Sequence, residues 1–343
     1  MQIRSVGIDL GKTTFHLVAL GDKGKVLLKK RFTQKQLVIF TANLQTSLIG
    51  MEACSGAHFL GRALQAQGHD VKLIPAQFVK PFVKSNKNDF MDAEAIAEAV
   101  DRQNMRFVPI KTDDQLDLQA LHRVRDRLMA RRTSVINQIR AFLLERGMIF
   151  AKSPIRLREA IPEVLENANE NLTPRMRNLV AMRWSEWKDL ELQILEMNDE
   201  VDRIASSDAA CLRLRQIPGI GPLVATAIVA SIGNGAAFHK GREFAAWMGL
   251  VPKQHSTGGN AKLYGISKRG NRYLRKILIH GARAVVLRCK RNRIAMGAWM
   301  ASLEARAPRN VLIVATANKL ARIAWAVLST GQDYRAVQDP VSA

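Results

Sequence analysis

The sequence predicts an α/β region followed by an α-helical remainder, the class α/β plus α. Three observations carry this. Short apolar strands bounded by glycine turns alternate with helical segments through the first third of the chain. Apolar residues then recur at heptad spacing across the middle. From Ala205 onward glycines cluster between further helical patterns. Strands that alternate with helices after an antiparallel start imply a mixed sheet with helices on its faces.

Ile3, Val6, Ile8 and Leu10 read as a first strand leading into a Gly11 turn. In Thr13–Leu20, Phe15, Leu17 and Ala19 alternate with Thr14, His16 and Val18, a period of two. Gly21-Asp22-Lys23-Gly24 is a hairpin turn, and Lys25–Phe32 completes a three-stranded meander. Leu48–Glu52 is a short buried strand, Ala57–Gln67 a helix, Val71–Ile74 a strand and Phe90–Arg102 an alanine-rich helix.

Between Asp113 and Met148, Leu121, Leu128, Val135 and Phe142 repeat every seven residues, with arginines on the opposite surfaces. Trp187, Leu190, Ile194, Met197, Val201 and Ile204 form a second a/d seam. Pro154, Pro162 and Pro174 separate the two. Spacing alone leaves open an internal helical hairpin or a coiled coil between chains. Further helices are expected at Leu223–Ser231, Gly241–Met248, Asn271–Arg288 and Val311–Ser329, before a short tail. The domain boundaries expected are 1–110, 111–205 and 206–343.

Of the 343 residues, Lys plus Arg number 52 and Asp plus Glu 30, a net charge of +22. That excess costs self-repulsion unless a polyanion relieves it, so nucleic acid is the expected partner. A ribosomal or architectural protein would share the charge. The longest apolar runs are far short of the roughly 18 residues a membrane span needs, and the N-terminal residues have neither the apolar core nor the cleavage site of a secretory signal. Three dispersed cysteines (Cys54, Cys211, Cys289) exclude a disulfide scaffold or a cysteine zinc cluster and fit a cytoplasmic protein.

Four acids point to chemistry. Asp9 ends the first strand and Glu52 the fourth, while Asp89 and Asp92 share a face at the start of a helix. A carboxylate at the end of a buried strand is costly unless it is paired or holds a metal. Together the four suggest a Mg2+ or Mn2+ site, with carboxylates within about 10 Å, suited to in-line displacement at a phosphodiester. Singly, each reads as a surface acid or helix cap. Gly11-Lys12-Thr13 is not a P-loop, because the glycine required five residues earlier is Val6. Gly7–Thr14 also resembles the first phosphate loop of actin-like sugar kinases, but their second phosphate loop and adenosine motif are missing.

Pro218-Gly219-Ile220-Gly221 has the pattern of a helix-hairpin-helix, in which Gly219 and Gly221 would let backbone amides approach a phosphate. A plain interhelical turn is the simpler alternative. Ser256, in His255-Ser256-Thr257-Gly258-Gly259, lies in a glycine-flanked loop near Lys262, Lys268, Arg269, Arg272 and Arg275. Its hydroxyl could attack phosphorus or merely bind phosphate, with the cations holding nucleic acid.

In combination these motifs resemble insertion-sequence transposase family one-hundred-and-ten, in its eleven-eleven branch, related to the Piv invertase. The resemblance rests on Gly7-Ile8-Asp9, Glu52, the run Asn86–Ala95, the Pro-Gly-Ile-Gly hairpin, His255–Gly259 and Ile266–Asn271, in order along nearly the whole chain. It implies a ribonuclease H-like (RuvC-like) domain, a helical coiled-coil connector and a C-terminal transposase domain supplying a serine. It implies Asp9, Glu52, Asp89 and Asp92 as the metal-binding tetrad and Ser256, or its neighbour Thr257, as the reactive hydroxyl. It further implies donor and target DNA, an element-encoded guide RNA, a dimer or tetramer, and a cytoplasmic, nucleoid-associated location without membrane. The alternative function is a RuvC-type endonuclease using metal-activated water.

Overall fold

The computed structural model describes residues 2–83, 88–167 and 172–335. The chain divides into two compact units, Met1–Asp113 and Asp114–Ala343.

In the first unit β1 (Ser5–Leu10) and β2 (Phe15–Leu20) form a tight antiparallel hairpin, closed by a Gly11 amide that donates to the Thr14 carbonyl at 3.1 Å. A short turn at Asp22–Gly24 leads to β3 (Val26–Phe32). Helix α1 (Gln34–Ala42) follows on a Thr33–Gln36 capping box, a start signal that the hydropathy pattern alone does not reveal. Then come β4 (Leu48–Glu52), α2 (Ala57–Ala66), β5 (Asp70–Ile74), the short α3 (Ala76–Val79) and α4 (Asp89–Val100). The sheet order is β3-β2-β1-β4-β5. β4 runs parallel to β1 and to β5, while β2 is antiparallel to both its neighbours. The expected meander and mixed sheet are therefore present.

Two glycines let α4 lie on the sheet. A Cβ on Gly7 would fall 2.0 Å from the Ala93 carbonyl oxygen, and one on Gly50 2.8 Å from Val100. The helix answers with Ala93, Ala97 and Ala99, all buried. Ser5 Oγ donates to the Ala97 carbonyl at 2.8 Å. This packing sets the N-terminus of α4 beside the end of β1.

The second unit is mainly helical. Helices α5 (Asp113–Leu144), α6 (Pro154–Glu166) and α7 (Pro174–Ser207) form an antiparallel bundle. Leu128, Val135, Ile139, Trp187, Leu190 and Ile194 belong to one buried cluster with Leu157 and Ile161 of α6. Part of each heptad seam is thus buried within one chain, while Leu121, Phe142, Met197 and Ile204 are only partly buried. Gln119 Nε2 donates to the Ala230 carbonyl at 2.9 Å, so α5 also packs on the glycine-rich region beyond it.

That region holds α8 (Ala209–Arg215), α9 (Pro222–Ile232), α10 (Gly241–Trp247), the hairpin β6 (Pro252–Thr257) and β7 (Asn260–Ile266), then α11 (Arg272–Arg288), α12 (Gly297–Glu304) and α13 (Arg309–Thr330). The four helices expected from sequence fall within two residues of these bounds. The loop expected around Ser256 is instead a β-hairpin. Gly258 and Gly259, with φ of 56° and 82°, make its two-residue turn. The expectation of no long apolar stretch also needs correcting: α13 is long and apolar enough to cross a membrane by length and composition. Its Leu312, Ile313, Ala317, Leu320, Ala321 and Ala324 are buried in the core of this unit, which accounts for the apolarity. Most of the expected C-terminal tail lies outside the described residues.

Candidate active site

The first unit carries acids at the C-terminal ends of the adjacent interior strands β1 and β4 and at the start of α4. Asp9, near the end of β1, and Glu52, the last residue of β4, are both half-buried. Asp89 and Asp92 occupy the first turn of α4, where the helix dipole favours negative charge. Asn88 caps that turn, its side chain accepting from the Phe90 amide at 3.0 Å. Asn86 and Lys87 of the same motif lie outside the described residues.

The carboxylates sense one another. Burial raises the pKa of Asp9, and the charges of Asp92, Asp89 and Glu52 raise it further, while His16 opposes the shift. Burial, then Glu52 and Asp9, likewise push up the Cys54 thiol. Among the described residues no group of three or more His, Cys, Asp or Glu side chains is drawn together closely enough to hold a metal ion. Asp9 thus lies within electrostatic reach of Asp92, Asp89 and Glu52, and carboxylate oxygens are the donors a hard divalent cation takes.

His16 belongs to this cluster, and the sequence reading gave it no role. It is the cross-strand partner of Asp9, so the two side chains share a face. It is only 9% exposed, and its Nδ1 lies 3.6 Å from Asp89 Oδ2 with no hydrogen-bond partner. Its ring meets Phe90 edge-on, 4.7 Å between centroids. The signal was available: a histidine opposite an acid across the Gly11 hairpin.

The second unit carries the hydroxyl. Ser256 is exposed on β6, opposite Ala261, and Gln254 Nε2 donates to its Oγ at 2.7 Å. Side chains alternate along a strand, so Ser256 shares its face with Gln254 and Leu263. His255 and Thr257 lie on the other face, where His255 meets the Tyr264 ring. His255 is therefore no base for Ser256. Lys262 pairs with His255 and lies 5.6 Å from the Tyr264 ring centroid, which also puts it on the face opposite the serine.

The remaining predicted cations divide. Lys268, Arg269 and Arg272 are exposed. Arg275 departs from its expected role as a nucleic-acid contact. It is 9% exposed, and its Nη1 donates to the carbonyls of Met248 and Arg269, at 2.8 and 3.0 Å. It braces the loop between α10 and α11.

The two hairpin glycines also differ. Gly219 has φ of 87° and is pressed against α11, where a Cβ would meet Val285 at 2.5 Å and the Gly281 carbonyl at 2.9 Å. It is a packing glycine. Gly221 is exposed, caps the start of α9 before Pro222, and has open space around it.

Two family models match the chain, the first of them running across the boundary between the two units. Residues 6–147 match a family model described as a transposase, and residues 211–296 match the transposase IS116/IS110/IS902 family. A probable family 20 transposase of Pseudomonas aeruginosa is 42% identical over 98% of this chain and 99% of its own. The transposase for insertion sequence element IS1111A of Coxiella burnetii is 41% identical, covering 97% of this chain and 92% of its own. The transposase for insertion sequence element IS1328 of Yersinia enterocolitica is 43% identical, covering 95% and 97%.

Proposed function

This chain belongs to the IS116/IS110/IS902 transposase family and is an enzyme that cuts and joins DNA, and we propose that it excises and inserts its own element by serine attack aided by a divalent metal. The observation that carries the reading is the crowding of Asp9, Glu52, Asp89 and Asp92 around the end of β1, in a chain that also exposes a serine hydroxyl on a hairpin. These four residues would hold Mg2+ or Mn2+, which supplies Lewis-acid polarisation of a phosphodiester. The sheet order and the placement of α4 support a ribonuclease H-like domain. Helices α8 and α9 around Gly221 support a helix-hairpin-helix grip on the backbone.

Ser256 Oγ forms a bond to phosphorus as the phosphodiester P–O bond to one DNA end breaks. The serine proton leaves to solvent, and the released end takes up a proton to become a free hydroxyl. Gln254 holds Oγ through the donated hydrogen bond, leaving its own proton free to depart. Lys268, Arg269 and Arg272 steady the phosphates. Target choice rests with base pairing to an element-encoded guide RNA, and the enzyme works as a dimer or tetramer on the cytoplasmic nucleoid. Family membership favours this over a nuclease that activates water.

The test is to react the protein with labelled DNA and map any adduct by mass spectrometry after denaturation. An adduct on Ser256, lost in Ser256→Ala, is expected. An adduct on Thr257 would reassign the hydroxyl. Intact cleavage without an adduct would reject serine attack in favour of water. Asp89→Asn should abolish cleavage and leave DNA binding in place.

A further inference from the structure

A groove of about 1350 Å³ runs along the outer face of α13 in the second unit. That exceeds the roughly 300–1,000 Å³ of pockets for small molecules and leaves room for a segment of extended chain. Its lining on α13 includes Val311, Val314 and Ala315, all at least partly exposed, and Ile323, which also packs against the core. One wall is Trp299 of α12, the other the base of the β-hairpin at Tyr264.

Four cations line it: Lys240, Arg242, Lys319 and Arg322. Among the described residues no Asp or Glu lines the groove, and none of the four cations is in an ion pair. Lys319 and Arg322 are three residues apart on one helical face and so repel each other. Burial and the Arg322 charge together lower the pKa of Lys319, as expected of a crowded cation lacking an anion. Its Nζ rests 4.3 Å from the centroid of the Trp299 ring.

An apolar floor, an aromatic wall and unpaired cations select one class of partner. A duplex keeps the flat faces of its bases stacked inside the helix, whereas an unpaired strand offers them to aromatic and apolar side chains. We propose that this groove binds a single-stranded stretch of nucleic acid, with phosphates on Lys240, Arg242, Lys319 and Arg322 and a base against Trp299. Single-stranded DNA and RNA share this chemistry. The assignment rests on the reading of the protein as an enzyme acting on nucleic acid, and it adds where an unpaired strand is held.

The test uses full-length protein and fluorescein-labelled oligomers that cannot pair with themselves, a dodecamer of dT and one of U, beside a 12-base-pair DNA duplex. Binding is read by anisotropy across a salt series. Trp299→Ala should weaken single-strand binding by about tenfold or more, and Trp299→Phe should restore most of it, since the ring rather than the indole nitrogen makes the stack. Lys319→Gln with Arg322→Gln should lower the single-strand salt slope by about 1.4. Duplex binding should not change. A larger loss for one oligomer identifies the strand as DNA or RNA. Unchanged single-strand binding in both variants overturns the groove assignment. A fall in oligomer mass by light scattering, with single-strand affinity unchanged, also overturns it and makes the groove a contact between copies. Wild-type protein that binds neither duplex nor single strands would sink the nucleic-acid reading itself, whereas duplex binding without any effect of the groove variants sinks only this proposal.

Discussion

A carboxylate at Asp9 is held where ionisation is unfavourable, because burial and three neighbouring acids all raise its pKa. A raised folded pKa means that ionising the group weakens the fold. The stabilisation present at low pH is lost as pH rises through the folded value. Asp9→Asn should therefore raise the thermal midpoint of metal-free protein at neutral pH. Added Mg2+ should stabilise the wild type by about 1.4 kcal/mol at ten times its Kd, through mass action on the folded state alone. Asp9→Asn should lose that response. Differential scanning fluorimetry with and without Mg2+ checks both, and a wild-type midpoint indifferent to Mg2+ and Mn2+ would count against the tetrad. Gly7 is the backbone counterpart of these acids. Gly7→Val would drive a side chain into the Ala93 carbonyl and push α4, with Asp89 and Asp92, off the end of β1. Overpacking of this kind destabilises by about 1–3 kcal/mol, readable in urea melts.

Helical seams and strands are where sequence and structure can be compared element by element. Period-two alternation located β2, and the glycine turns located the meander, because both signals are local. Asp9 and Glu52 are legible as strand-end carboxylates, and Asp89 and Asp92 as the acids of a helix start. The approach of α4 to β1 depends on Gly7 and Gly50, a fact of tertiary packing that no local pattern encodes. The β6–β7 hairpin was missed because its residues are almost all exposed, leaving only the Gly258-Gly259 turn as a signal. Arg275 read as one more basic residue, since a sequence does not show which arginine turns inward. Heptads on α7 fit an internal or an external partner equally well, and the buried Trp187 and Ile194, in one cluster with Leu128, show that part of the seam packs within the chain. Ile194→Asp should therefore destabilise the bundle by about 3 kcal/mol or more by burying an unpaired charge. Light scattering of the folded fraction should show no change in mass. A clean drop to monomer without loss of stability would return the seam to an interface between chains. The junction of α5, α9 and α11 gives a second check. His122 Nε2 and Nδ1 lie 3.0 Å from Thr226 Oγ1 and from the Tyr273 hydroxyl, and burial, with Arg125, pushes its pKa down to about 4. The neutral ring is the folded form. Its stabilisation is complete above the unfolded pKa near 6.5 and lost as pH falls toward 4, a swing of about 3 kcal/mol. Urea melts at both ends of that window should show it, and His122→Gln should flatten the difference.

Across the whole molecule the charge of +22 sets the strength of binding to any polyanion and, by itself, none of the sequence preference. Lys262, Lys268, Arg269 and Arg272 are exposed in the hairpin and the segment after it, so each is free to meet a phosphate. Each phosphate neutralised on a duplex contributes about 0.9 to the slope of log K against log salt. Replacing all four by Gln should lower that slope by about 3 to 4, weaken binding alike on every duplex tested, and leave thermal stability nearly unchanged. Arg275 provides the contrast. Its guanidinium donates to the carbonyls of Met248 and Arg269, and removing it strands one buried and one partly buried acceptor. Loss of buried hydrogen bonds made by a charged group costs about 1–3 kcal/mol for each group left unsatisfied. Arg275→Gln should therefore lower the thermal midpoint while the salt slope of the folded protein stays where it was. Anisotropy titrations over a salt series, paired with melting curves on the same samples, separate the two outcomes. A salt slope reduced by Arg275→Gln at unchanged stability would return that residue to the nucleic-acid surface. A slope unmoved by the fourfold replacement would mean that the phosphates are held elsewhere on this basic chain.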